Sequence, residues 1–224
     1  MLNKAIIIGG TGATGRQLVR KLLINNNFKK ITTIGRRPIL NGKKHPKIDD
    51  IVIDNFNDFS ATKGLWKGHN IFFNCIGTTI KRAKNSKEFK NIEVNISENA
   101  AKIALEADIR HVSIISANGA NKNQWSRDWI HPLFYLKIMG QKEQTLLSKK
   151  FKSISIFRPG MLVRLMEKKS IIDRCLIKSG LGLPVDLLAS AMISDAENSN
   201  QFKGPNNNPK IFVGNKVIKK IIKK

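Results

Sequence analysis

The chain is short of several things. Its 224 residues hold two cysteines, four histidines and one tyrosine. Two distant cysteines, Cys75 and Cys175, make neither a disulfide framework nor a metal site. The histidines His45, His69, His111 and His131 are scattered without ligand spacing, so no metal is expected. No apolar run reaches the roughly 18 residues needed to cross a bilayer as a helix. The first apolar segment, Ala5–Ile8, is too short for a signal peptide and runs into glycines. A cytoplasmic address is therefore the expectation, with a peripheral seat on an intracellular membrane as the alternative. Acidic residues are also scarce: 16 against 40 Lys and Arg, a net charge of +24. Lysine is spread over every expected surface, which reads as compositional bias. The one dense cluster, Lys219-Lys220 with Lys223-Lys224, leaves an anionic membrane surface as a partner for the tail. Nucleic acid is not expected, because the basic residues are not interleaved with aromatics.

What is present is alternation. Short apolar runs at Ala5–Ile8, Ile31–Ile34, Ile51–Ile53, Ile71–Ile76, His111–Ile115 and Ile154–Phe157 read as strands. Helical patterns lie between them, from just after Gly12 to about Ile24, at Lys87–Ala107 and at Phe134–Ser148. Strands alternating with helices predict an α/β fold: a doubly wound parallel sheet of Rossmann type. The whole of 1–224 reads as a single dinucleotide-binding domain. Its nucleotide-binding core is 1–160, and 161–224 is a C-terminal extension on the substrate side. Residues 168–200 look helical and loop-like, 204–209 is a polar loop, and a strand at Ile211–Val213 and a helix from Asn215 follow.

The strongest motif is Gly9-Gly10-Thr11-Gly12-Ala13-Thr14-Gly15, between the first strand and the first helix. Glycines there allow a tight turn, let the backbone approach a pyrophosphate, and let helix and strand pack closely. The helix N-terminus then presents amides and a partial positive charge to the phosphates. After the second strand stands Arg36-Arg37, where an NAD-specific site would carry an acidic residue. Guanidinium groups suit the 2′-phosphate, so NADP(H) is expected over NAD(H). Asp54, after the third strand, is a candidate for the adenine amino group, or an ordinary turn residue. Ile76-Gly77-Thr78 follows the fourth strand, where a loop can line the cofactor.

With Ser116-Ala117-Asn118-Gly119-Ala120, Phe134-Tyr135-Leu136-Lys137 and Phe157-Arg158-Pro159-Gly160 added, these segments resemble the Tat-interacting-protein branch of the atypical short-chain dehydrogenases. The resemblance covers roughly residues 4–165, in the family's order. It implies NADPH held by the glycine loop, the arginine pair, the Gly77 loop, Tyr135 and the segment near Leu162. It also implies carbonyl reduction with Tyr135 as acid and Ser116 as its assistant. The superfamily's lysine stands four residues after the tyrosine, which puts both on one helix face. Here that position is Met139, and the second serine position is Ala117. Lys137 falls on the opposite face, and Lys142 lies about 10 Å farther along the axis. The expectation is an NADP-dependent carbonyl oxidoreductase with a weakened site, acting on a small carbonyl compound. The alternative is a catalytically lapsed NADPH-binding sensor or protein-interaction module with a protein partner.

Overall fold

The computed structural model describes residues 2–41, 43–127, 131–164, 171–201 and 208–222. In chain order the elements are β1 (Asn3–Ile8), α1 (Ala13–Ile24), β2 (Phe28–Gly35), β3 (Ile48–Val52), α2 (Lys63–Trp66), β4 (Ile71–Asn74), α3 (Ser86–Lys90), α4 (Ile96–Glu106) and β5 (His111–Ile115). Then follow α5 (His131–Leu147), β6 (Ser153–Arg158), β7 (Met161–Val163), α6 (Ile171–Lys178), β8 (Gly182–Pro184), α7 (Val185–Gln201), β9 (Lys210–Val213) and α8 (Asn215–Ile221).

The seven-stranded sheet runs β3-β2-β1-β4-β5-β6-β9, and its strand pairs are parallel. Strand order reverses between β1 and β4. The loops leaving those two strands therefore diverge and open a crevice at their carboxyl ends. Both faces of the sheet are covered, which is why β1 reads as a continuous apolar run and not as an alternating one. Ala5 and Ile7 face a cluster with Leu18, Val19 and Leu22 of α1 and Leu188 and Met192 of α7. Ile6 and Ile8 face the opposite cluster with Trp66, Ala100, Ala104, Ile114 and Ile156.

Several boundaries differ from the periodicity for physical reasons. β2 begins earlier, at Phe28, which pairs with Asn3 of β1, and it takes in Lys30, whose ammonium meets Asp49 of β3 at 2.6 Å. β3 likewise takes in Asp50, which accepts from the Thr33 hydroxyl at 2.6 Å and the Ile39 amide at 2.7 Å. Lys47 caps the carboxyl end of α1, donating to the carbonyls of Leu22 at 2.7 Å and Leu23 at 3.1 Å. β4 stops at Asn74, two residues early, because the chain turns there into a loop held by side chains. The long helix expected over 87–107 is one run, Ser86–Glu106, interrupted by a π-helical turn at Asn91–Asn95.

The C-terminal part carries more structure than its pattern suggests. β7 and β8 form a separate two-stranded parallel sheet. α7 lies against α1, with Leu188, Ala189, Met192 and Ala196 fully buried at helical spacing. β9 pairs with β6, and the Phe212 ring sits 4.9 Å from that of Phe157.

Candidate functional site

The glycine turn is built by close approach. Gly9 has φ +76, and a Cβ there would lie 2.5 Å from the Cys75 carbonyl carbon. A Cβ on Gly15 would lie 2.2 Å from the Gly9 carbonyl oxygen. These two glycines let β1, β4 and α1 come together. Gly12 differs: its amide donates to the Gly9 carbonyl at 3.0 Å, and a Cβ would meet that carbonyl oxygen at 3.1 Å, a tight contact but not an overlap like those at Gly9 and Gly15. Gly12 is the N-cap of α1 and supplies no side-chain cap, and the first turn holds no acidic residue. Gly12 and Ala13 are exposed, Thr11 is half-buried, and Gly10 and Thr14 are buried beneath them. A helix start that is open, uncapped and free of acidic side chains fits a pyrophosphate.

Arg36 and Arg37 follow β2 and are exposed. Among the described residues neither takes part in an ion pair. The Ile53 amide donates to the Gly35 carbonyl at 2.9 Å, so exposed Asp54 emerges beside the Gly35–Arg36 step.

The loop after β4 is tied inward at each of its ends. The Ile76 amide donates to Asn74 Oδ1 at 3.1 Å. The Lys142 ammonium donates to the Ile76 carbonyl at 2.6 Å. The Thr78 amide donates to Glu93 Oε1 at 2.6 Å. Glu93 Oε2 pairs with Lys142 at 2.9 Å. Gly77, between these anchors, is exposed.

Tyr135 stands half-buried on α5, its ring 6.1 Å from that of Phe89. Burial, and then the Glu93 carboxylate, push its phenol up to about 12. Met139, one turn on, is buried in the apolar cluster that Tyr135 packs against, together with Ala117. Lys137 is half-buried. Lys142 lies two turns beyond Tyr135, but its long stem brings the ammonium back to the β4 loop.

Ser116 is 5% exposed and donates to Glu143 Oε1 at 2.6 Å. Glu143 also forms a bidentate pair with Arg158, whose Nε lies 2.7 Å from Oε1. That hydrogen bond and charge hold the guanidinium pKa up. The proton of Ser116 is thus committed to a carboxylate, and the hydroxyl cannot simultaneously donate it to a substrate. Leu162 lies on β7, in register with Leu183 and packed against the α7-side core. Its neighbour Gly160 donates to Asn215 Oδ1 at 2.9 Å.

The structure therefore groups the Gly9–Gly15 turn, Arg36, Arg37 and Asp54, and the 76–78 loop, along the carboxyl ends of the sheet. It directs Ser116 into an ion-pair network. Sequence reasoning missed Glu93, Asn74 and Glu143. One signal was readable: an acidic residue inside the apolar stripe Ile92–Ile96. No group of three or more His, Cys, Asp or Glu residues able to hold a metal occurs among the described residues.

A family model described as NAD(P)H-binding matches residues 9–178. Protein HTATIP2 of Rattus norvegicus is 30% identical over 165 residues, which is 73% of this chain and 64% of that protein. The match thus spans slightly under two thirds of the rat protein. Protein FMP52, mitochondrial, of Debaryomyces hansenii is 33% identical over 73% of this chain and 69% of its own length. Among solved structures, MoeE5 in complex with UDP-glucose and NAD superposes with a TM-score of 0.68 at 15% identity, covering 94% of this chain and 75% of that one. The oxidoreductase ylbE from Lactococcus lactis superposes with a TM-score of 0.66 at 13% identity, covering 98% and 95%. These likenesses establish the fold. The expected cytoplasmic address is overturned, because the yeast relatives are named mitochondrial. The chain belongs to the NAD(P)H-binding family, in the HTATIP2/FMP52 group of atypical short-chain dehydrogenases.

Proposed function

We propose that this chain binds NADP(H) in preference to NAD(H) and reduces small carbonyl compounds slowly, in the reductive direction. The names of the yeast relatives favour a mitochondrial setting for it. When bound, the nicotinamide supplies hydride. The uncapped start of α1 receives the pyrophosphate, and the exposed Arg36 and Arg37, in no ion pair among the described residues, favour a 2′-phosphate. Asp54 stands where it can meet the adenine side, and Gly77 keeps the 76–78 loop open to close backbone approach.

One observation carries the direction and the slowness. Tyr135 is flanked by buried Met139 and by the carboxylate of Glu93, where the family reaction calls for a cation. The phenol therefore keeps its proton. It can donate that proton to a carbonyl oxygen but is a poor base for an alcohol. The test is NADPH consumption across aldehydes, ketones and quinones, beside calorimetric titration with NADPH and NADH. Measurable binding of NADPH with slow consumption supports this reading. Turnover on the order of 10 per second would overturn the slowness, and a folded chain that binds neither nucleotide would overturn the whole.

A second reading, a lapsed NADPH-binding module with a protein partner, is favoured by Ser116, whose hydroxyl is spent on Glu143. Binding without any consumption would select it.

A further inference from the structure

We propose that Glu93 and Lys142 form a buried clamp that holds the 76–78 loop in the shape required to receive the dinucleotide. The inference rests on the reading that this crevice binds NADP(H). It adds two positioning residues that neither the motifs nor the fold assign.

The clamp joins three pieces of chain. Glu93 sits on the π-helical turn between α3 and α4, Lys142 on α5, and both reach the loop that leaves β4. Their side chains are 2% and 1% exposed and meet at 2.9 Å. Each also binds loop backbone: Glu93 takes the Thr78 amide, and Lys142 gives to the Ile76 carbonyl. With the Ile76 amide already on Asn74, both backbone polar groups of Ile76 are satisfied from inside the protein. Gly77 is left facing outward, and a Cβ on it would meet Glu93 Oε1 at 3.7 Å. The carboxylate thus forms the floor under the one exposed residue of the loop.

Stability is a poor reason to keep such a pair. Two charges removed from water gain little over apolar residues of the same volume, while removing one partner is costly. π turns, too, gather at functional positions. A loop pre-shaped by the clamp would bind without the cost of ordering it.

The test compares the full chain with Lys142→Met, Glu93→Leu and the double variant, reading both Tm and the Kd for NADPH. Each single variant should lower Tm, because it leaves one buried charge unpaired. The double variant should recover most of that Tm yet bind NADPH about tenfold more weakly, since the loop has lost its anchors. A double variant with wild-type affinity overturns the clamp. Amide hydrogen exchange on the unmodified chain tests it again without any substitution. Without nucleotide, the Thr78 amide should exchange at least about tenfold more slowly than an open loop amide. Protection that arises only on adding NADPH overturns the clamp. The wild-type Kd alone decides whether NADPH binds at all, so the two proposals fail on different measurements.

Discussion

Met139 lies one helical turn beyond Tyr135 and is buried in the apolar cluster against which Tyr135 packs, with Phe89 and Phe134. A thioether there supplies no positive charge, so burial, with a smaller push from Glu93, sets the Tyr135 phenol. Met139→Lys should bring an ammonium beside the phenol and lower its pKa. Steady-state kcat for NADPH-dependent reduction near pH 7 should rise about tenfold or more. The desolvated ammonium should lower Tm at the same time. An unchanged kcat would show that the missing lysine is not what slows the site.

Direction follows from the same phenol. With a pKa of about 12, Tyr135 keeps its proton through the working range of most enzymes. Reduction, which needs the phenol, should be insensitive to this group between about pH 6 and 9. Alcohol oxidation needs the phenolate, roughly one molecule in 10⁴ at pH 8, and should climb about tenfold per pH unit. Initial rates in the two directions across pH check this.

The glycine turn separates folding from binding. Gly12→Val should leave the chain folded at a lower Tm, because its Cβ meets the Gly9 carbonyl oxygen at 3.1 Å, a tight contact that a shift of a few tenths of an ångström relieves, and the backbone there is extended. It should abolish NADPH binding by crowding the pyrophosphate approach. Gly15→Ala should lower Tm by several degrees or prevent folding, since its methyl would meet backbone at 2.2 Å. Calorimetric titration beside thermal melts distinguishes the two.

Replacing Arg36 and Arg37 together by Ala should weaken NADPH by about 10- to 100-fold and leave NADH within about threefold, as expected for lost charge-assisted bonds. Equal losses for both nucleotides would refute the 2′-phosphate assignment.

His111 gives the stability a pH dependence. It is fully buried at the start of β5, its Nδ1 2.9 Å from Ser153 Oγ. Burial takes its pKa from 6.5 down to about 4, only partly offset by Asp195, while Lys210 depresses it further. The 3.7 Å approach to Asp195 is therefore not an ion pair near neutrality, because the imidazole there is uncharged. The folded state binds this proton less readily than the unfolded chain. Stability is complete above about pH 6.5 and is lost, by up to about 3 kcal/mol, as pH falls toward 4. His69, also depressed by burial, acts in the same sense. Urea melts of the wild type and His111→Asn should differ in slope by about one proton over that interval.

The parts of the fold that rest on local patterning were legible. β5 falls at His111–Ile115 as read, and the glycine turn sits between β1 and α1 because its spacing encodes its own geometry. The clamp was not legible. Glu93 and Lys142 are 49 residues apart, and nothing local says that a lysine on a helix will spend its ammonium on a carbonyl of a distant loop. The fate of Ser116 was hidden for the same reason, since its partner Glu143 is 27 residues away. α7 was blurred because its buried face uses Ala189, Ala191 and Ala196, which weigh little in a hydropathy pattern but let it approach α1 closely.

The last strand of the sheet has a consequence for biosynthesis. β6 is the neighbour of β9, and Phe157 packs its ring on Phe212. Until residue 213 has left the ribosome, the β6 border is an unsatisfied row of amides and carbonyls beside a bare phenyl ring. Such a border can pair with a second nascent copy as readily as with its own missing strand. Truncation just before Lys210 should therefore give a chain that aggregates during synthesis, even with β1–β6 complete.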